Sequence, residues 1–473
     1  MKEYFKLAWR NIWRNKRRTL ITVASIFFAI LIAIVMRSFQ LGSYSHMINN
    51  FVETYSGYLQ LQQEDYWENK SINNTFVLND SIRTKILDHE NIKDFYPRLE
   101  SFALASSGNT TKGAFVMGVI PAKENEMTNI KDKIVRYKLT EKIVSVLLQE
   151  KNTDEKTADL LQESIGDTYT SEKEIRQHFE KSDNIIDDLV SKMKESGTVE
   201  GAYIKDGEKS VLVAEKLAHY LKIIPGDTLI LISQGFHGIG ASGLYPVKGI
   251  ISLPNPELNK SFIYMPLKTA QEFYSANGRI TSLAINVNNN DFDKILSTKA
   301  TLSEKFDKEK FALLDWKEMN PELVQQIQSD NVSGKIMLAV LYIIIAFGIF
   351  STVLMMTTER QREFGVMISI GMQKLKLAGV VVVELIFIGI LGILSGIIAS
   401  IPIILVGHNN PIKLSGDIAE SMESFGMEPV MPFAMIDTYF LWQALVVIVI
   451  IFVAILYPVY SITRIKEIEA LRA

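Results

Sequence analysis

Residues 357–384 read TTERQREFGVMISIGMQKLKLAGVVVVE, a charged, helix-prone stretch set between two long apolar runs. Its first half carries Glu359, Arg360, Arg362 and Glu363, and its second half passes directly into valines and leucines. The reading of the fold turns on that transition. If the flanking runs cross a membrane, this stretch is a short amphipathic helix at one membrane face. A force on its polar side then reaches the spans on both sides of it.

Four apolar runs occur, at residues 20–36, 336–356, 377–406 and 439–460. Each is close to the roughly 20 residues that cross a hydrocarbon core of about 30 Å, the first of them marginally. The 473 residues are 48% hydrophobic and 22% charged, but the average hides a division, because the charges gather between the first and second runs. Four runs with charges massed at their ends argue against buried core helices of a soluble protein. The expected fold is therefore an α-helical membrane protein with four transmembrane helices and a large α+β extracytoplasmic domain between the first and second. The boundaries read as spans at 19–41, 335–357, 377–406 and 438–460, an outer domain at 42–334, an inner helix at 358–376, an outer loop at 407–437 and a tail at 461–473.

Basic residues set the orientation. Residues 1–18 carry a net charge of +6, and the inner segment 357–376 adds Arg360, Arg362, Lys374 and Lys376. Residues 42–334 hold 33 basic and 42 acidic side chains, and residues 407–437 have Lys413 alone against five acids. Both termini and the 357–376 segment are expected in the cytoplasm. The first run leads into MRSFQLGS without a small-x-small cleavage site, which reads as a retained signal anchor. Ahead of it, residues 1–18 place Trp9 and Trp13 on a broad apolar face, with Arg10 and Arg14 among the basic residues of the other. That pattern suits a helix lying among lipid headgroups, with a plain positive-inside tag as the alternative.

Along the outer region, helices are expected at 44–54, 79–89, 267–276 and 292–306. Strands are expected at 56–63, 92–105 (with Pro97 inside), 113–120, 202–205, 244–251, 261–266, 281–287 and 311–316. Residues 209–232 read as a helix, a turn at Pro225, Gly226 and Asp227, and a strand. From 124 to 197 charges dominate and apolar residues recur at helical spacing (Ile143, Val146, Leu147; Ile175, Phe179; Ile186, Leu189, Met193). This is a helical insertion, with a disordered linker as the alternative for 149–170.

No enzyme site emerges. The chain has no cysteine, which excludes disulfides and thiol chemistry. The six histidines lack ligand spacing, and no G-x-x-x-x-G-K-[ST] is present to cradle ATP phosphates. Gly238, Gly240 and Gly243 spell G-x-G-x-x-G, but Tyr245, Pro246 and Val247 then begin a strand where a dinucleotide site needs a helix. A flexible loop that touches a protein partner, through Phe236, His237 and Leu244, is the better reading. Glu384 lies inside the third apolar run, either as a functional intramembrane acid or as a boundary anchor near Lys374 or Lys376. Gly389, Gly392 and Gly396 permit close helix approach, as at a dimer interface, and Pro402 is expected to kink the outer end of that span. No catalytic residue, metal, bound cofactor or nucleic-acid partner is expected.

Glu359, Arg360, Glu363, Phe364, Gly365, Ile370, Gly371 and Glu384 together resemble the E-R-x-x-E-[IF]-G-x-x-x-x-[IL]-G…E pattern of the FtsX-like permease family of ABC transporters, of the MacB and LolC/LolE type. The start, LAWRNIWRNKRRTLIT, and the end, YPVYSITRIKEIEALRA, are similar to the family's ends, with Ile468 where proline is usual. VLVAEKLAHYLKIIPGDTLILI and SFIYMPLKTAQEFY resemble LolC/LolE-type outer domains. The insertion at 124–197 departs from the family.

The resemblance implies a permease subunit paired with a second one, identical or paralogous, on a dimer of cytoplasmic ATPases that bind the ATP. Glu359, Arg360, Arg362, Glu363, Phe364, Gly365, Gly371 and Met372 would form the coupling helix seated on the ATPase. The location implied is the bacterial inner membrane, with the large domain in the periplasm beside a carrier, a fusion protein or a lipoprotein. The implied work is lipoprotein release or export of an amphiphilic cargo. An FtsX-like signalling subunit that activates a cell-wall hydrolase without cargo is the alternative, and a membrane sensor independent of ATP is a third reading.

Overall fold

A computed structural model describes residues 9–10, 13–14, 16–150, 154–179, 185–414, 416–424 and 428–465. Most of the segment 1–18 and, in the tail, Lys466, Ile468 and Arg472 lie outside those residues. The chain forms two compact units: Met1–His46, Gln325–Ile412 and Val430–Ala473 in one, Met47–Val324 and Lys413–Pro429 in the other.

The first unit is built from most of helices α1 (Lys16–Phe51) and α2 (Pro321–Glu359), whose residues 47–51 and 321–324 fall in the second unit, and from α3 (Gln361–Ser369), α4 (Lys374–Asn409) and α5 (Tyr439–Thr463). Four helices among the described residues are long and apolar enough to cross a membrane. They outrun the apolar stretches that announce them. The 39 residues of α2 extend for about 58 Å at roughly 1.5 Å per residue, nearly twice a hydrocarbon core. Ile26, Ile30, Ile349, Val353, Leu385, Ile388, Val447 and Ile451 meet in the bundle core. Phe347, Ile398, Leu441 and Phe452 point outward and are exposed, an apolar exterior suited to lipid.

The α4 glycines are used inside the chain. A Cβ at Gly392 would sit 2.6 Å from Ile26 Cβ, and one at Gly396 would lie 2.9 Å from both Ile30 Cβ and Phe27 O. The small residues let α1 approach α4 closely, in place of the dimer contact expected from the sequence. The helix runs on through Pro402 to Asn409. Past the apolar stretch, Tyr44 donates a 2.6 Å hydrogen bond to Asp330 Oδ2, and Arg37 donates one of 3.0 Å to Asn331 Oδ1, tying α1 to α2.

The second unit contains a nine-stranded mixed sheet: β1 (Leu59–Gln63), β2 (Ile92–Ser107), β3 (Thr110–Val119), β4 (Val211–Ala214), β5 (Thr228–Gln234), β6 (Gly240–Ile251), β7 (Phe262–Pro266), β8 (Ser282–Val287) and β9 (Phe311–Asp315). Their order is β9-β1-β8-β2-β3-β7-β4-β6-β5, and β5 pairs back onto β2. The 16 residues of β2 are long enough to serve two neighbours on one edge: its first half pairs with β8, while residues 104–106 pair with β5. Six strands thereby close on themselves. Pro97 is tolerated because β2 pairs with Leu283 at that point, while its register with β3 begins one residue later, at Arg98.

Several local expectations are corrected. Residues 211–214, read as the start of a helix, are the strand β4, with the helix only at Glu215–Leu221. Four buried residues, Val211, Leu212, Val213 and Ala214, form the continuous apolar run of a strand covered on both faces. Residues 202–205 form no strand, although the Ala202 N–H reaches Lys248 O. The described part of 149–170 is ordered structure: helix Glu155–Glu163, then a short strand Thr168–Tyr169 paired with Tyr137–Lys138. Leu139, Ile143, Leu147, Leu161, Phe179, Leu189 and Met193 give this region a core of its own.

Candidate functional site

The α2 helix stops at Glu359 because Arg360 leaves helical geometry (φ −98°, ψ 3°), and α3 begins at the next residue. After nine residues, at Ser369, α3 ends in a Schellman cap. Gly371, at φ +104°, sends its N–H to Ile368 O, and the Met372 N–H reaches back to Met367 O. Glycine takes that backbone conformation without strain, so Gly371 is suited to stop the helix. The observed helix is therefore shorter than the motif, which extends from Glu359 to Met372.

This short helix has two faces. Phe364, Gly365 and Ile368 are buried against the bundle. Arg360 is also buried, at 4% exposure, with its guanidinium 5.2 Å from the centre of the Phe364 ring. It is thus absent from the outward face to which the motif assigns it. The outward face carries Arg362 and Glu363, with Glu359 exposed just before the helix. Val366 and, beyond the helix, Ile370 and Leu375 add exposed apolar area at 42%, 82% and 76%. Ile370 was named in the sequence as a motif position only, and Val366 and Leu375 were not singled out there, where they read as ordinary members of an apolar pattern. The signal available was their failure to fit the buried stripe of Phe364 and Ile368.

Arg360 turns inward to Glu384. Its Nη1 donates to Glu384 Oε2 at 2.8 Å, and Glu384 is 1% exposed within α4. The partner of Glu384 is thus Arg360 and not Lys374, whose Nζ donates to Ile465 O at 2.7 Å. Arg360 Nε also approaches Glu363 Oε2 at 3.4 Å, and the same oxygen accepts from Arg14 Nη2 at 2.7 Å. Trp9 stands edge-on to Phe387 of α4, ring centres 6.0 Å apart, and lies 6.1 Å from Trp13. Arg10 is exposed. The described residues of the N-terminal segment thus lie against α3 and α4 of their own unit.

The glycine-rich segment of the second unit is a β-hairpin tip, where a flexible loop was expected. Gly240 and Gly243 pair within β6 against Gln234 and Leu231. The Phe236 N–H reaches Tyr274 O, the His237 N–H reaches Asn73 Oδ1, and the Arg279 guanidinium lies 4.6 Å from the Phe236 ring centre. Leu244 is exposed, as are Phe102, Leu104 and Ile232 on the neighbouring strands. Among the described residues no group of three or more His, Asp or Glu side chains is gathered to hold a metal.

Residues 335–466 match the family described as FtsX-like permease C-terminal, so this part of the chain, holding the short helix and its buried pair, is an FtsX-like permease domain. Two curated relatives are the lipoprotein-releasing system transmembrane proteins LolC of Xylella fastidiosa strains 9a5c and Temecula1, 22% and 23% identical over 282 residues. Each alignment covers 57% of this chain and 66% of the relative, just under two thirds of its length. Among solved structures, the periplasmic region of MacB from Actinobacillus actinomycetemcomitans is similar at 13% identity and a TM-score of 0.28, covering 57% of this chain and 92% of that one. The extracellular domain of the noncanonic ABC-type transporter YknZ from Gram-positive bacteria is similar at 10% identity and a TM-score of 0.27, covering 54% and 99%.

Proposed function

We propose that the chain is the membrane subunit of an ABC transporter of the MacB/LolE type, taking its energy from a separate cytoplasmic ATPase. The observation that carries this reading is the two-faced α3 helix inside the FtsX-like domain. Buried Phe364 and Ile368 fix it to the bundle, while Arg362, Glu363, Val366 and Ile370 offer a charged and apolar surface to a partner. A partner seated there pushes on a helix joined covalently to α2 and α4. Movement of those helices drives the α+β unit outside the membrane, and the chain itself performs no hydrolysis. The work proposed is release of a lipoprotein or export of an amphiphilic cargo, a direction supported by the similarity to the lipoprotein-releasing system proteins LolC.

Substitutions on the outward face test the reading. Ile370→Asp and Glu363→Arg are expected to lower association with the ATPase by about tenfold or more, and Gly371→Trp to uncouple it by unravelling the cap. All three leave the chain inserted in the membrane. Survival of ATPase association and stimulation in all three would remove the coupling assignment.

A further inference from the structure

Four alternating charges form a line through the helical unit: Arg14, Glu363, Arg360 and Glu384, with successive contacts of 2.7, 3.4 and 2.8 Å. The line runs from water to the protein interior. Side-chain exposure is 56% and 46% for Arg14 and Glu363, then 5% and 2% for Arg360 and Glu384. The outer contact is screened and weak. The inner one is buried, where an ion pair holds its geometry and a lost partner is costly.

The inner pair is also incompletely satisfied. Glu384 Oε1 has no hydrogen-bond partner among the described residues, and a cavity with room for about one water adjoins it, lined by Thr357, Phe364 and Val381 among others. Arg360 sits at the only non-helical position between α2 and α3. Its side chain is shared between an acid on the outward face and an acid inside α4. A shift of α3 therefore changes how Arg360 divides between Glu363 and Glu384, and a buried carboxylate with a spare acceptor can take a second donor bond as that happens.

We propose that Arg360 and Glu384 are positioning residues, their buried bond passing displacement of α3 into α4 while Glu363 and Arg14 report the state of the outward face. The inference rests on the docking reading above, and the experiment separates the two. The chain has no cysteine, so an environment-sensitive fluorophore can be placed at Gln373→Cys, beside the α3 cap, or at Asn410→Cys, at the far end of α4; both sites are exposed. Signals are read in membranes of the host that makes the ATPase, with and without ATP and vanadate.

In the otherwise unaltered chain both reporters respond to nucleotide. Glu384→Gln keeps the response at 373 and reduces that at 410 by about fivefold or more, the lower end of ordinary coupling between sites. The exchange Arg360→Glu with Glu384→Arg restores it, which a purely structural requirement for the native residues would not do. A full response at 410 in Glu384→Gln, or no recovery in the exchanged pair, overturns the inference. Should Glu384→Gln fail to reach the membrane, the exchanged pair decides alone: a response at 410 supports the inference and silence ends it. Silence at 373 in the unaltered background defeats the docking reading and this inference with it.

Discussion

Among the described residues two buried arginine–carboxylate pairs, one in each unit, set the residue-scale energetics. In the α+β unit Arg98 and Glu124 are 0% and 1% exposed and meet at 2.5 Å, while Arg98 also donates to Tyr55 O. Burial works against the Arg98 charge, but Glu124 beside it holds the guanidinium pKa above its ordinary value. Removing one member of such a pair strands a desolvated charge, whereas removing both leaves ordinary packing. Arg98→Met is therefore expected to cost about 3–5 kcal/mol, and Arg98→Met with Glu124→Leu clearly less. Protease resistance of the unit against urea measures both. Equal losses in the single and double variants would mean that shape, and not charge, matters at this site. Neither pair was legible beforehand. Arg98 and Glu124 are 26 positions apart and Arg360 and Glu384 are 24 apart, with a break or several elements between, so no helical or strand period connects them.

At the scale of elements, legibility followed how much of a segment's structure is decided locally. The helix Asp80–Leu87 was readable because Asn79 caps it, accepting from the Ile82 N–H, and because Ile82 and Ile86 repeat at helical spacing. The strand β4 was missed because its four apolar residues run straight into the helix Glu215–Leu221, and only pairing with β6 and β7 marks it as sheet. The glycine-rich tip was read as loose because glycine is permissive, while the contacts of Phe236 and His237 that fix it come from distant residues. The insertion shows what a local reading leaves out, since its helical spacing was legible but its titration was not. His178, on the helix Glu172–His178, contacts Ser164 Oγ at 3.1 Å and packs against Tyr169 and Phe179. Burial, aided by the charge of Lys413 and opposed by Glu174, lowers its pKa from 6.5 to about 4. The folded state resists the proton that the unfolded state accepts. Its contribution to stability is therefore complete above about pH 6.5 and is lost as pH falls toward 4. Between pH 7 and pH 5 this helix is expected to lose about 1–2 kcal/mol of protection, read by amide hydrogen exchange. His178→Gln should flatten the difference, and an unchanged pH dependence in that variant would assign the effect elsewhere.

For the whole molecule, everything proposed depends on which faces of the membrane α3 and the α+β unit occupy. The physical ground is charge: the segment 357–376 has Arg360, Arg362, Lys374 and Lys376 close to the ends of two apolar runs, where basic residues are retained on the inner side. The large unit is net acidic over residues 42–334, and a long segment of that kind crosses with little regard to its own charge. A motor on one side can move a large domain on the other only if the helices between them span fully, which the lengths of α1, α2 and α4 allow. The absence of cysteine makes the arrangement directly measurable. A single Ser145→Cys in the α+β unit and, separately, a single Ser369→Cys at the end of α3, both exposed, would be treated with a membrane-impermeant maleimide in spheroplasts. Position 145 is expected to label in intact cells and position 369 only after lysis. Labelling of both from the same side would leave α3 unable to pass work across the bilayer, because the surface that receives the stroke and the unit that delivers it would share one compartment.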